Sequence, residues 1–391
     1  MKNKVINIVV VVCLCFAAAV SVNSISLNRI ALYVAIPFAF LLSFFKKWKV
    51  IPNRYEGVLI AIYLWDLLSV LWAQYPESAS REMHRIMGAV LLTYIMAVNG
   101  EDKGIRPYLY SVFIVLYLAA WYYANNHSLI SAEASNDQER MNDEVLNANT
   151  MAYYTFYVSF AVFIMSYIVK SGLWQRIYRV LFLCMIPVSF LVALVTASRQ
   201  VLIIQMPLML FLLYERYIKE SNRVSRLIFV LLTVSIVLAL GPVVVDMYDS
   251  SYLAERSEES LTEDSRWFLL KDPISVGLEN FPLGVGAGNY INYSFNQHIS
   301  HCSYTELFAN NGIVGLLLFC YLLAYFIKKQ CSYYRTTKDR IFIVFLLFGL
   351  IFSVYQIFYV FYTDLWLMAF FILVASHSDS YYKSLIGSLG R

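Results

Sequence analysis

Apolar residues in this chain come in long runs separated by short polar breaks. They neither alternate nor keep to one helical face. The runs lie near 5–22, 30–45, 56–73, 85–98, 107–124, 151–169, 178–197, 200–217, 227–245, 312–327, 340–357 and 361–376. A helix needs about 20 apolar residues to cross a hydrocarbon core about 30 Å thick. The pattern therefore predicts about twelve membrane-spanning helices. A basic start, Met1–Lys4, precedes the first run. Its apolar stretch exceeds the ~7–15 residues of a signal peptide and a second run follows closely, which predicts an uncleaved first helix. One polar interruption stands out, from about Asp249 to Gly315. Loops this long are uncommon and usually functional.

Composition agrees with the pattern. Residues are 60% hydrophobic and 14% charged, with a mean hydropathy of +0.61; a soluble domain carries about 25% charged residues. The expected fold class is all-α, a polytopic integral membrane protein in three stretches: helices over 1–248, a loop with short helices over 249–311, and helices over 312–391. Charge sets the orientation. With the N-terminus in the cytoplasm and alternating spans, all but eight of the 30 Lys and Arg fall on the inner side. The eight are Arg29, Arg81, Arg85, Arg140, Arg199, Arg256, Arg266 and Lys271. Positive charge is retained on the cytoplasmic side of membrane proteins, so the long loop is expected outside.

Several chemistries find no footing. There is no Walker A motif, zinc-binding Cys/His pair or Rossmann fingerprint, and the G-x-G of GVGAGN lacks the strand–turn–helix context a nucleotide site needs. No metal, cofactor or nucleic-acid partner is expected. The six cysteines form no C-x-x-C pair, and only Cys302 lies in the long loop, so no disulfide framework is implied.

Candidate chemistry gathers in and beside that loop. Arg199, in VTASRQV, sits between two apolar runs. It either anchors a helix end or meets an anion, since an arginine there is otherwise costly. Arg266 follows Glu263-Asp264-Ser265. It either pairs with one of those acids or provides a second cation, and a guanidinium grips phosphate oxygens in bidentate fashion. Arg256 and Lys271 add charge to the same loop. The glycines of PLGVGAGN are either a bend or a nest of bare N–H groups for an anion, with Gly286 and Gly288 as donors. Ser303 and Glu306 have capping-box spacing, so a short helix starts at Ser303 and ends at Asn310-Asn311-Gly312. His301 then precedes a helix N-terminus, where anions are favoured; the plainer reading is a solvated loop histidine. Asp66, inside an apolar run, is either a functional carboxylate or half of a structural hydrogen bond.

Taken together, FPLGVGAGNY and HCSYTELFANNGIVGLLLF resemble the shared region of the O-antigen ligase and polymerase family. His301 and Cys302 are followed by nine residues, Ser303 to Asn311, and then by Gly312-Ile-Val-Gly315. TASRQ resembles the family's Ser-Arg at an outer helix end, DSRWFLL its arginine segment early in the loop, and NANTMAYY, with Asn149, a helix start seen in relatives. Cys302 departs from the usual Asn. The resemblance implies a GT-C-like membrane fold in the bacterial inner membrane and transfer of undecaprenyl-pyrophosphate-linked glycans on the periplasmic face. It implies that Arg199 and Arg266 bind pyrophosphate and that His301 assists the acceptor hydroxyl. Arg256, Lys271, Gly286, Gly288, Tyr304 and Asn149 are the expected substrate-binding set. Expected partners are the lipid-linked donor and acceptor, membrane lipids, a chain-length regulator and a flippase. The expected activity is a repeat-unit polymerase. The alternatives are a ligase acting on lipid A-core and a non-enzymatic flippase.

Overall fold

The computed structural model describes residues 2–23, 25–127, 148–169, 172–196, 201–218, 266–295, 302–360 and 362–389, with 222–224, 226, 227, 230, 245, 297, 299 and 300. The described residues form helices and no strand. Seven helices among them are long and apolar enough to cross a membrane, and they coincide with seven of the expected runs. Of the other five, four are helical but too short, too polar or interrupted, and 227–245 lies almost wholly outside the described residues.

The chain divides into two compact units: Met1–Ala17, Arg29–Leu109 and Thr262–Arg391 form the first, and Ala18–Asn28 with Tyr110–Leu261 the second. The elements are α1 Lys2–Asn23, α2 Ile25–Ile30, α3 Ile36–Lys47, α4 Arg54–Ser69, α5 Pro76–Gly100, α6 Arg106–Asn126, α7 Ala148–Ile168, α8 Gly172–Thr196 and α9 Met206–Leu213. They continue with α10 Arg266–Glu279, α11 Tyr290–Tyr293, α12 Ser303–Thr337, α13 Ile341–Tyr355 and α14 Leu365–Leu389. The long loop thus contributes α10 and α11 to the first unit. In the second unit α7 is central: every residue from Thr150 to Ser166 is buried, and α8 packs along it.

The first unit is built around α5 and α14. Leu92–Gly100 and Trp366–Ser378 are buried without a break, so these two helices have no lipid-facing side over those turns. That burial lets them carry polar groups. Thr93 donates to Glu56 Oε1 at 3.2 Å, Asn99 to Ser43 Oγ at 2.8 Å and Ser378 to Gln330 Oε1 at 2.6 Å, tying α5 to α4 and α3, and α14 to α12. Lipid tails are as apolar as leucine, so burial alone does not drive helices together in a membrane. Such interhelical hydrogen bonds contribute about 0.6–2 kcal/mol each.

Helix ends follow local chemistry. Asn53 caps α4 by accepting the Glu56 N–H at 3.0 Å. Asp364 Oδ1 accepts the N–H groups of Trp366 and Leu367, both at 3.0 Å, at the start of α14. These side chains satisfy donors that a helix's first turn leaves unpaired.

Candidate functional site

The glycine stretch Pro282–Asn289 meets α12 where that helix is broken. Gly312 has φ 63° and ψ −161°, which separates a short helix from a membrane-length one. The break frees two carbonyls of the short helix. Val285 N–H donates to Ala309 O and Gly286 N–H to Asn310 O, both at 2.8 Å, while Ile313 N–H returns to Pro282 O at 3.1 Å. The glycines are there for room. A Cβ on Gly312 would stand 2.0 Å from Pro282 O, and one on Gly286, at φ 93°, 2.7 Å from the Cβ of Ala73. The expected nest of bare donors is therefore corrected at Gly286: its N–H is spent on a helix carbonyl, and the residue is buried. Gly288 is half-buried and does face a cleft.

Buried amides lock this stretch to the first unit. Asn289 accepts the Tyr75 N–H at 2.8 Å and donates to Tyr75 O at 3.3 Å and Ala287 O at 2.8 Å. Asn310 Oδ1 accepts the Tyr290 N–H at 2.7 Å, and its amide donates to the Tyr362 hydroxyl at 3.3 Å. Asn311 donates to Asp66 at 2.5 Å, and Trp65 donates to Asn311 O at 2.8 Å. Asp66 is thus half of a structural hydrogen bond, joining α4 to the neck beside Gly312. The Tyr290 hydroxyl donates to Asp272 at 2.7 Å. Burial first, and then the Asp272 carboxylate, hold that phenol well above its ordinary pKa.

Between the polar first turns of α5 and this loop lies a cleft of 110 Å³, well above what one water needs. Arg81, Glu82, Arg85, Tyr290, Glu306 and Asn310 line it, with Ser78 and Gly288. Glu82 is buried and stands 3.6 Å from the Arg85 guanidinium, whose side chain is 58% exposed. Burial raises the Glu82 carboxyl above its ordinary pKa and the Arg85 charge opposes this. Arg81 is exposed and forms no ion pair among the described residues. Glu306 accepts from Ser300 N–H at 3.1 Å and from Ser300 Oγ at 3.0 Å. Ser300 Oγ in turn donates to Cys302 O at 2.9 Å and accepts the Cys302 N–H at 3.1 Å. The helix does begin at Ser303, but Glu306 reaches back to Ser300 rather than to Ser303. The chain on either side of position 301 is thereby pinned beside the cleft.

The sequence-predicted residues meet different fates. His301, Arg199 and Arg256 lie outside the described residues. Arg266 and Asn149 are placed by backbone alone, as the first residue of α10 and the second of α7. Lys271 is exposed on α10. Tyr304 turns from the cleft: its hydroxyl donates to Ser353 O at 2.9 Å and its ring meets Phe319 edge-on. Cys302 is buried at 3% exposure. Sequence reasoning placed Arg81 and Arg85 on the outer side but did not single them out. Their signal was the Arg-Glu-x-x-Arg spacing, which puts residues 81 and 85 on one face at the polar end of an apolar helix.

Fold and cleft together define an all-helical, multi-pass membrane protein with a charged cleft at the ends of its helices. No protein-family model matches the chain, and no curated protein matches it.

Proposed function

We propose that this chain polymerises lipid-pyrophosphate-linked oligosaccharide repeat units on the outer face of a bacterial inner membrane, within a twelve-span, GT-C-like fold. One observation carries the reading: Arg81 and Arg85 share one cleft with buried Glu82 and Glu306, where the loop meets a membrane-length helix. A lipid-borne substrate presents its pyrophosphate at that level. Fixed cations there stabilise the charge that builds on the leaving group.

In this reading the acceptor sugar's hydroxyl oxygen attacks the anomeric carbon of the donor sugar. The bond from that carbon to the pyrophosphate oxygen breaks, and its electron pair leaves with the lipid pyrophosphate. The acceptor's proton passes to the imidazole of His301, acting as general base. Arg81 and Arg85 hold the phosphate oxygens in the cleft; Arg199 and Arg266 are proposed for the same role on the sequence resemblance alone. Ser300, bound to Glu306, fixes the backbone next to the histidine.

The test is purified protein with lipid-linked repeat units and EDTA, read as a ladder on a gel. A ladder of lengthening chains is expected. Transfer of intact glycan to lipid A-core without lengthening makes the protein a ligase, and no transfer to either acceptor overturns the reading.

A further inference from the structure

A second charged groove, of 450 Å³, lies between the start of α4 and the second half of α12. It shares no residue with the cleft at the glycine loop. Lys328 is 16 residues beyond Gly312 on the helix, a rise of about 24 Å at 1.5 Å per residue. A hydrocarbon core is about 30 Å thick, so the groove stands near the opposite membrane surface.

Three cations line it: Arg54, Lys328 and Lys329. None of them forms an ion pair among the described residues. The nearby carboxylate, Asp379, is engaged by the hydroxyls of Tyr333 at 2.7 Å and Tyr55 at 3.3 Å. Tyrosines hold two of the cations, Arg54 and Lys329, in place. The Arg54 guanidinium sits 4.7 Å from the Tyr325 ring centre and hydrogen-bonds the Tyr321 hydroxyl. The Lys329 ammonium sits 5.7 Å from Tyr325 and 5.4 Å from Tyr333. Cation–π contacts orient a cation without cancelling its charge. The groove is thus open and net positive, three cations against the one carboxylate of Asp379, which lies near Lys329.

An apolar track leads into it. Val314, Leu317, Tyr321, Ala324 and Lys328 are all exposed, and their spacing of three and four puts them on one helical face. A soluble anion needs only the cations. A lipid needs cations at the interface with an apolar track running from them toward the bilayer centre, and this helix face supplies both.

We infer that Arg54, Lys328 and Lys329 form a binding site for the phosphate headgroup of an anionic phospholipid, whose acyl chain lies along Val314–Ala324. Native mass spectrometry of the purified full chain in detergent tests this with phosphatidylglycerol, phosphatidylcholine and inorganic phosphate as probes. Phosphatidylglycerol is expected to stay bound where phosphatidylcholine does not. Lys328→Gln with Lys329→Gln should weaken it about 25-fold, about fivefold for each juxtamembrane cation removed. The pair Lys328→Arg and Lys329→Arg keeps the charge and should retain the lipid, which separates loss of charge from misfolding. Arg335→Gln, on the same helix outside the groove, should leave binding unchanged. Equal retention of phosphatidylcholine, or unaltered phosphatidylglycerol binding in the glutamine pair, overturns the site. Displacement of the lipid by equimolar inorganic phosphate overturns the lipid assignment.

Discussion

Asn310 holds Tyr290 by its backbone: the Asn310 side-chain oxygen accepts the Tyr290 N–H at 2.7 Å, while Asn310's own carbonyl accepts the Gly286 N–H at 2.8 Å. One residue at the end of a short helix thus fixes the middle of the glycine turn and the residue that follows it. The cleft wall formed by Gly288 and Tyr290 depends on it.

Asn310→Ala should therefore cost more than an ordinary polar truncation. It leaves a buried N–H without an acceptor, a loss of about 1–3 kcal/mol. Asn292→Ala removes only a half-buried contact to Ser78 Oγ at 2.9 Å, and should cost about 0.5–1.5 kcal/mol at most. Thermal unfolding of the two purified variants checks the order; equal melting temperatures would show that Asn310 does not hold the turn.

Gly312→Ala should not yield folded protein in quantity. At φ 63° and ψ −161° Gly312 lies in a region essentially confined to glycine, where another residue pays about 1–3 kcal/mol, and the new Cβ would also stand 2.0 Å from Pro282 O. Gly172→Ala is the matched control, with nothing within 4 Å of its Cβ and a helical backbone. That change should be neutral or stabilise by about 0.4–1 kcal/mol. Yield and monodispersity on size exclusion read both.

Arg81→Ala and Arg85→Ala should each lower the chain-extension rate about 10²–10³-fold, the typical loss on removing one preorganised donor from developing negative charge. Arg→Lys at either site should restore part of it, because charge survives but the planar fork does not. His301→Ala and His301→Gln should both abolish extension, while Cys302→Ser stays active. Full ladders from a well-folded Arg81→Ala, Arg85→Ala double variant would place the pyrophosphate elsewhere.

Acid sensitivity should trace in part to Asp102. Burial alone would raise its pKa, but the Lys46 ammonium, 2.8 Å away, and the Gly104 N–H bring it below the ordinary carboxylate value. A depressed folded pKa gives stability that is present above the unfolded value of about 3.9 and is lost as pH falls through the folded one. Between pH 5 and 3 the wild type should lose more stability than Asp102→Asn, which lacks this contribution at every pH. Parallel melting curves across that range would remove Asp102 from the account.

Much of this protein was legible in its sequence because membrane insertion is a local, one-dimensional demand. Seven apolar runs are helices long enough to span, since each must satisfy its backbone internally wherever it lies in lipid. The break of α12 at Gly312 was also legible, because a positive-φ glycine acts within a few residues; the helix does start at Ser303, but without the predicted capping box. Only tertiary structure decided what the glycines do. Their spacing allowed a bend or an anion nest, and the choice rests on which acceptors come near. Those are the carbonyls of Ala309 and Asn310, about twenty-five residues downstream, exposed by the break in their helix. Tertiary structure also brought Arg81 and Arg85 to Tyr290 and Glu306, some two hundred residues away. No periodicity records such a pairing, because it arises from helices packing side by side rather than from anything along one of them.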